Sequence, residues 1–254
     1  MKGRELMHWR RWRTLGPALT LRMLRAARSE LAAVGALLVL AVGVLSFMEI
    51  ADDVAEGDTR GVDRWILLML RDPDNPAVPL GGRWVREAVG DITALGGWTV
   101  LTLFVLLLVG LFASLRRWRE AALLLVAAMG GTALGQALKG IFGRERPDEA
   151  WRLVEAANAS FPSGHAMMSA VVYLTLGALV ARFANRRRVK WFAIGVGVLL
   201  TAMVGVSRIY LGVHWPSDVL AGWCVGAAWA MACWLGVWAV EKWWRKDVER
   251  APQG

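Results

Sequence analysis

Six long runs of residues without Asp, Glu, Lys or Arg constrain the fold of this 254-residue chain more than any other feature. A run of about 17–25 apolar residues is long enough to cross a hydrocarbon core about 30 Å thick. Six of them in so short a chain leave too little polar surface for a soluble helical protein. The sequence therefore predicts an all-α membrane protein with six transmembrane helices. These spans are residues 31–48, 92–115, 121–138, 161–181, 191–207 and 219–240.

The distribution of charge predicts which ends of the spans face the cytoplasm. If the N-terminus lies inside and the spans alternate, the inner segments hold 20 of the 30 Lys and Arg residues but only 6 of the 21 Asp and Glu residues. This asymmetry follows the positive-inside rule, so both termini are predicted to be cytoplasmic. The net charge of +9 then serves topology and attraction to anionic lipid, and nucleic acid is not an expected partner.

The chain divides into a basic N-terminal segment (1–30), the six-span domain (31–240) and a cytoplasmic C-terminal tail (241–254). The basic segment fits either a helix lying on the inner membrane surface or a disordered tail. Cys224 and Cys233 both lie inside the last span, and their spacing suits neither a metal site nor a disulfide between loops. We therefore interpret both cysteines as apolar packing residues.

The long outer loop 51–91 is predicted to contain two short helices. Apolar residues recur at helical spacing in its first half, and a second helix around 85–89 follows a stretch rich in Pro and Gly. Either these helices lie in the outer membrane interface, beside a lipid entrance, or the loop packs on the bundle. The residues that predict the first helix are Val62, Trp65, Ile66 and Met69.

Three polar stretches lie where apolar runs meet loops, and the predicted topology puts all of them at the outer ends of spans three to six. Ionisable groups at membrane depth are costly and mark function. The first stretch joins a lysine to an Arg-Pro pair, the second is Pro-Ser-Gly-His, and the third joins Ser-Arg to a histidine and an aspartate. Their residues are Lys139, Arg146, Pro147, Pro162, Ser163, Gly164, His165, Ser207, Arg208, His214 and Asp218.

Each stretch supplies a group suited to binding phosphate. Cations on the outer side run against the positive-inside rule, so Lys139, Arg146 and Arg208 indicate an anionic partner there. The alternative for the first two is snorkelling of basic side chains at the membrane interface. In the second stretch, free N–H groups at a helix start can bind an anion, and Ser163 adds a hydroxyl donor.

The two histidines differ in their neighbours. His214 and Asp218 are four residues apart and share a face if that turn is helical. The carboxylate can then hold one imidazole nitrogen protonated and orient the other, which makes a histidine a competent nucleophile or base. His165, taken alone, is better explained by local hydrogen bonds at a span end. A metal site is not predicted, since the chain has three histidines and His8 is on the opposite side.

Together, the three stretches resemble the three-part signature of the type 2 phosphatidic acid phosphatase (PAP2) family. The resemblance extends from the third span to the sixth and implies a lipid phosphatase that needs no metal or other cofactor. It implies that His214 attacks phosphorus to form a phosphohistidine, that Asp218 orients it, and that His165 protonates the leaving oxygen and later helps to activate water. It also assigns the substrate phosphate to Lys139, Arg146, Ser163, Gly164 and Arg208.

The same resemblance implies a bacterial inner-membrane enzyme whose active site faces outward and whose partner is a membrane lipid phosphate. Undecaprenyl diphosphate, with broad tolerance, is the preferred substrate. Phosphatidylglycerophosphate, phosphatidate and diacylglycerol diphosphate are alternatives, because the motifs recognise a phosphate and not its lipid tail. Transfer of the phosphoryl group to a second lipid is another alternative.

The vanadium-dependent haloperoxidases share the motifs, but they are soluble and the spans disfavour them. A lipid transporter or scaffold with a relic phosphate site is the non-enzymatic alternative. The sequence predicts no oligomeric state.

Overall fold

The computed structural model describes the backbone of residues 2–156 and 158–250, and the side chains of residues 29–156, 158–244 and 247. Over this part of the chain it contains eight α-helices, a 3₁₀ turn at Glu149–Trp151 and one isolated bridge between Arg71 and Pro79. The predicted all-α class is confirmed. The helices are α1 (Lys2–Glu56), α2 (Arg60–Leu68), α3 (Arg83–Ala94), α4 (Trp98–Ser114), α5 (Trp118–Phe142), α6 (Gly164–Phe183), α7 (Arg187–Tyr210) and α8 (Pro216–Arg250).

Five helical stretches are long and apolar enough to cross a membrane: Ser29–Glu56 of α1, all of α5, α6 and α7, and Pro216–Trp244 of α8. The pair α3 and α4 passes the same test together, as a span bent by 45°. The chain is therefore a multi-pass helical membrane protein. The predicted second span, 92–115, is wrong in detail, because its first residues belong to α3 and its straight part begins at Trp98.

Two glycines account for the bend. Gly97 has an extended backbone (ψ 146°) and ends the helical path just before α4. A Cβ atom on Gly96 would lie 2.3 Å from Cγ1 of Val204 and 3.4 Å from the carbonyl oxygen of His165. The break therefore lets the chain pass against α6 and α7 more closely than any residue with a side chain would permit.

The long loop is shorter and more tightly packed than its sequence predicts. α1 continues to Glu56, past the predicted end of the first span. Ala51 is buried in a cluster with Phe161, so this part of the helix packs on the bundle. The two predicted helices are confirmed as α2 and α3, which pack on α8 and α7 respectively. The buried face of α2 consists of Asp63 and Leu67, whereas the apolar residues that predict this helix are mostly exposed.

The two terminal segments are helical where the structure describes them. The backbone of the basic segment is continuous with the first span in α1, and α8 continues through Arg250. The prediction that the basic segment lies on the inner membrane surface concerns side chains outside the described residues, and so does the part of the C-terminal tail at 251–254.

Close packing of α8 on α6 positions the polar end of the bundle. A Cβ atom on Gly226 would lie 2.4 Å from the carbonyl oxygen of Met167, and one on Gly222 would lie 2.7 Å from that of Ser163. Because both glycines lack a side chain, the two helix backbones approach each other directly. The contact continues to the helix ends, where the backbone N–H of Ser163 donates to the carbonyl oxygen of Asp218 at 2.9 Å.

Substitution of Gly226 by alanine is expected to destabilise the bundle. The new methyl group would meet backbone atoms, which cannot rotate away, and such overpacking costs about 1–3 kcal/mol. The measurement is the thermal unfolding midpoint of the detergent-solubilised protein. Gly236→Ala is the matched control, since it lies on the same helix and a Cβ there meets nothing within 4 Å. Equal midpoints for the two variants would contradict this account of the packing.

Candidate active site

The ends of four helices bring the predicted site residues to one end of the bundle. Lys139 is in the last turn of α5, Arg208 is in the last turn of α7, and Asp218 is in the first turn of α8. Ser163 is the N-cap residue of α6. His165 follows it in the first turn and lines one cavity with Lys139 and Gly164. Arg146 and His214 lie in the two connections between these helices. We call this region the polar end.

His214 lies between an arginine and a carboxylate. Its Nε2 is 3.2 Å from Nη1 of Arg146, and its Nδ1 is 3.4 Å from Oδ2 of Asp218. Because an arginine can only donate, Nε2 must accept and the ring proton must be on Nδ1, facing the carboxylate. This tautomer leaves the Nε2 lone pair as the nucleophilic site, as the His-Asp prediction requires.

Burial keeps the His214 ring neutral. The side chain is 2% exposed. Burial lowers the pKa of His214 to about 4, even though the hydrogen bond and the charge of Asp218 favour the protonated ring. The charges of Arg146 and Arg208 lower this pKa further. At neutral pH the imidazole is therefore unprotonated and able to attack an electrophile.

The Asp218 carboxylate is buried and held from both sides. One oxygen, Oδ2, accepts the backbone N–H of Trp215 at 2.8 Å and the hydroxyl of Ser160. The other, Oδ1, accepts Nη1 of Arg144 at 2.7 Å. His214 precedes the start of α8, so the turn that joins His214 to Asp218 is not helical, yet the two side chains still meet. The pair meets instead through a non-helical turn that the carboxylate closes by capping Trp215.

Several phosphate-binding candidates present donors that have no protein acceptor. Among the described residues, Oγ of Ser163 and Nε of Arg208 are buried without a hydrogen-bond partner. A buried donor left unpaired costs about 1–3 kcal/mol, so an anion that accepts from both would be favoured here. α6 begins at Gly164, and the N–H groups of its first turn lack partners within the helix.

The remaining cations are fixed by backbone carbonyls and hydroxyls. Nζ of Lys139 donates to the carbonyl oxygen of Ala159 at 2.7 Å. Arg146 donates through Nη1 to the carbonyl oxygen of Val213, also at 2.7 Å. Burial lowers the pKa of Arg146, and the charge of Asp218 opposes that effect. Nη1 of Arg208 donates to Oγ1 of Thr93 at 3.0 Å, so α3 helps to orient that side chain.

An apolar cavity of about 560 Å³ opens beside these groups, between α4, α5 and α6. Where the cavity meets the polar end of the bundle it is lined by Lys139, Gly164 and His165, and its walls include Leu101 and Val105. The cavity therefore joins charged groups to a hydrocarbon-like surface. Among the described residues, this region included, no group of three or more His, Cys, Asp and Glu side chains could hold a metal ion.

Sequence reasoning missed four side chains that the structure places at the polar end. Arg144 lies two residues before Arg146 within the first polar stretch, and an extra cation on the disfavoured side was the signal available. Asp63 is a single acidic residue in an amphipathic helix, and nothing in its local sequence marks it. Ser160 and Ser217 are unremarkable serines beside motif residues, and only the fold brings them to Asp218 and Arg144.

Comparison with known proteins agrees with this geometry. The family model of the PAP2 superfamily matches residues 120–242, which include all the predicted site residues. Phosphatidylglycerophosphatase B of Bacillus subtilis (strain 168) is 34% identical over 155 residues, covering 59% of this chain and 74% of that protein. An undecaprenyl-diphosphatase of Sulfolobus acidocaldarius is 40% identical over 68 residues, covering 27% of this chain and 29% of its own length.

The fold matches a solved structure over most of both chains. The crystal structure of a transmembrane PAP2-type phosphatidylglycerolphosphate phosphatase from Bacillus subtilis superimposes with a TM-score of 0.67 and 26% identity. The match covers 84% of this chain and 98% of that one. Sequence and fold thus agree, and the chain belongs to the PAP2 superfamily as a membrane lipid phosphatase.

Proposed function

We propose that the enzyme hydrolyses the terminal phosphate of a lipid diphosphate, with undecaprenyl diphosphate as the preferred substrate and broad tolerance, through a phosphohistidine on His214. The observation that carries this proposal is the position of the buried His214 ring, with Nε2 3.2 Å from Nη1 of Arg146 and Nδ1 3.4 Å from Oδ2 of Asp218. The unpaired donors of Ser163 and Arg208 support a phosphate beside it.

The first chemical step transfers the phosphoryl group to the enzyme. Oxygens of the bound phosphate replace Nε2 as the acceptor for Arg146, which frees the lone pair to attack phosphorus. The P–N bond forms as the bond from phosphorus to the leaving oxygen breaks, and His165 gives that oxygen a proton. The negative charge of the phosphate beside His165 favours the protonated ring before this step. Lys139, Arg208 and the start of α6 stabilise the charge on the transferring oxygens.

The second step returns the enzyme to its starting state. His165, now neutral, accepts a proton from a water molecule that attacks the phosphohistidine, and the P–N bond breaks to release inorganic phosphate. The Asp218 carboxylate balances the positive charge on the His214 ring while the intermediate exists. Fixed cations supply the electrostatic stabilisation throughout, so the mechanism requires no metal ion.

The apolar cavity supports a lipid as the carrier of the phosphate. A polyprenyl or acyl tail could lie along its walls while the head group reaches Lys139 and His165 at its polar end. The match to an undecaprenyl-diphosphatase favours a polyprenyl diphosphate. The longer match to a phosphatidylglycerophosphatase makes phosphatidylglycerophosphate the second candidate.

Hydrolysis without metal tests this proposal. Purified protein in detergent is expected to release phosphate from undecaprenyl diphosphate in the presence of EDTA, and His214→Ala is expected to abolish that release. A parallel panel of phosphatidylglycerophosphate, phosphatidate and diacylglycerol diphosphate ranks the substrates. Label that moves from the donor to a second lipid instead of to water would identify a transferase. Full activity in the His214 variant, or strict dependence on a metal ion, would refute the mechanism.

Activity is expected to persist to a lower pH than an ordinary histidine would allow. The lowered pKa keeps the nucleophile neutral until the pH approaches about 4, whereas an unperturbed ring, with a pKa of 6.5, would already be protonated. The acid limb of kcat/KM, corrected for ionisation of the substrate, should therefore lie well below pH 6.5. The folded state should lose stability as pH falls from 6.5 toward 4, because the unfolded chain takes up the proton first. An acid limb centred at 6.5 would contradict the buried, neutral ring.

We also propose that the enzyme is in the bacterial inner membrane with both termini cytoplasmic and the polar end outside. The positive-inside asymmetry supports this orientation. The test uses a variant without native cysteines and with Ala150→Cys, an exposed position in the 3₁₀ turn. An impermeant maleimide should label it in intact spheroplasts. Asn185→Cys, exposed in the connection between α6 and α7, is the control and should react only after the membrane is opened. The reverse pattern would invert the topology.

A further inference from the structure

A single arginine connects the long loop to the orienting carboxylate. Nη1 of Arg144 donates to Oδ1 of Asp218 at 2.7 Å, and its Nη2 donates to Oδ2 of Asp63 at 2.8 Å. Nη2 also donates to Oγ1 of Thr59 at 3.0 Å, and Nη1 also donates to Oγ of Ser217 at 2.7 Å. The two arms of one guanidinium therefore bind two carboxylates from different parts of the chain.

The bridge that Arg144 forms between the two carboxylates is buried. The side chains of Arg144, Asp63 and Asp218 are 13%, 3% and 0% exposed. Two carboxylates this close to each other and removed from water require a cation between them. An arginine stays charged and presents its donors in a rigid plane, so it fixes the positions of both partners and does more than neutralise them.

Asp63 also anchors the start of α8. Its Oδ1 accepts the backbone N–H of Ser217 at 2.8 Å, and its Oδ2 accepts the Ser217 hydroxyl at 2.6 Å. Ser217 is the second residue of α8, so Asp63 acts as an N-terminal cap supplied by another helix. The next residue is Asp218, and its backbone position is thereby tied to α2.

The direction of the bridge indicates a role in orienting His214. Arg144 binds Oδ1 of Asp218, which leaves Oδ2 toward His214 Nδ1 and the Trp215 N–H. Rotation of the carboxylate would break the contact with Arg144, so that contact keeps Oδ2 facing the ring. Helix α3 also contacts the polar end, through Thr93, whose hydroxyl accepts from Arg208.

We propose that helix α2 contributes to the active site. Arg144 and Asp63 are positioning residues that fix the Asp218 carboxylate and, through it, the His214 nucleophile. This inference rests on the proposed function of His214. It gives the long loop a defined task, because α2 brings the carboxylate that holds the second arm of Arg144, Nη2. Neither residue lines the apolar cavity, so we expect both to act on the rate of phosphoryl transfer and not on binding.

Three substitutions separate this role from general support of the fold. Arg144→Gln removes the cation, so the charge of Asp218 acts more strongly on His214 and the acid limb of kcat/KM should move to higher pH. Asp63→Asn removes a carboxylate that balances Arg144, so the limb should move to lower pH. Both variants should lower kcat by about tenfold or more, with KM changed by less than about twofold, since a misplaced nucleophile slows the reaction after binding.

Arg144→Lys tests the need for a planar fork. A lysine restores the charge, so the acid limb should return toward its original pH. It cannot hold two carboxylates in the same way, so kcat should recover only in part. Glu87→Gln is the control for Asp63→Asn. It removes a carboxylate from an arginine pair in the same loop, but the side chains of Glu87 and Arg83 are exposed, so kcat and the pH profile should not change.

Each rate is measured on undecaprenyl diphosphate and normalised to folded protein from the thermal melt. The other charged groups facing His214 are Asp218, Arg146, Arg208 and His165, and all are unchanged in these variants. Shifts of the acid limb in opposite directions would support the proposal. Unchanged kcat and pH profiles would overturn it, and so would a loss of rate that only follows the loss of folded protein. Failure of the unmodified enzyme to release phosphate would refute the proposed function instead.

Discussion

The buried Asp218 carboxylate is the interaction on which the rest of the polar end depends. It accepts from Ser160, from the Trp215 backbone and from Arg144, and its own backbone carbonyl accepts the N–H of Ser163. Donors from the connection before α6, from the start of α8 and from the first polar stretch therefore converge on one residue. A carboxylate at this depth persists only with such partners, and the same partners fix its direction. The direction of the carboxylate in turn favours the tautomer of His214 that carries its proton on Nδ1.

The second constraint is the surplus of positive charge around a neutral histidine. Lys139, Arg146 and Arg208 are held near one another by carbonyls and hydroxyls, and the nearby carboxylate of Asp218 is already bound by Arg144. Such an arrangement is unfavourable until an anion enters, and the unpaired donors of the site then gain acceptors. In the proposed function, this arrangement favours the binding of phosphate. Charge stabilisation by groups fixed in advance is the largest contribution available to phosphoryl transfer.

The sequence predicts the parts of this protein that depend on local pattern and on family signature. The spans, the helices α2 and α3, and the grouping of the three polar stretches at one end of the bundle all follow from hydrophobic runs and their alternation. The bend at Gly96 could not be predicted, because it depends on close contact with Val204 on another helix. The buried face of α2 could not be predicted either, because exposed apolar residues give the stronger periodic signal in a membrane protein, where lipid replaces water as the solvent. The roles of Asp63 and Arg144 could not be predicted, because they depend on a contact between these two residues that only the fold creates.

The proposed transfer of the phosphoryl group to His214 can be measured directly. The measurement is a rapid quench into alkali, in which phosphohistidine survives, during turnover of undecaprenyl diphosphate labelled in its terminal phosphate. We expect base-stable, acid-labile label on the peptide containing His214, formed no more slowly than phosphate is released, and absent from His214→Ala. Phosphate release that outpaces any labelled enzyme species, or label confined to the peptide of His165, would contradict it.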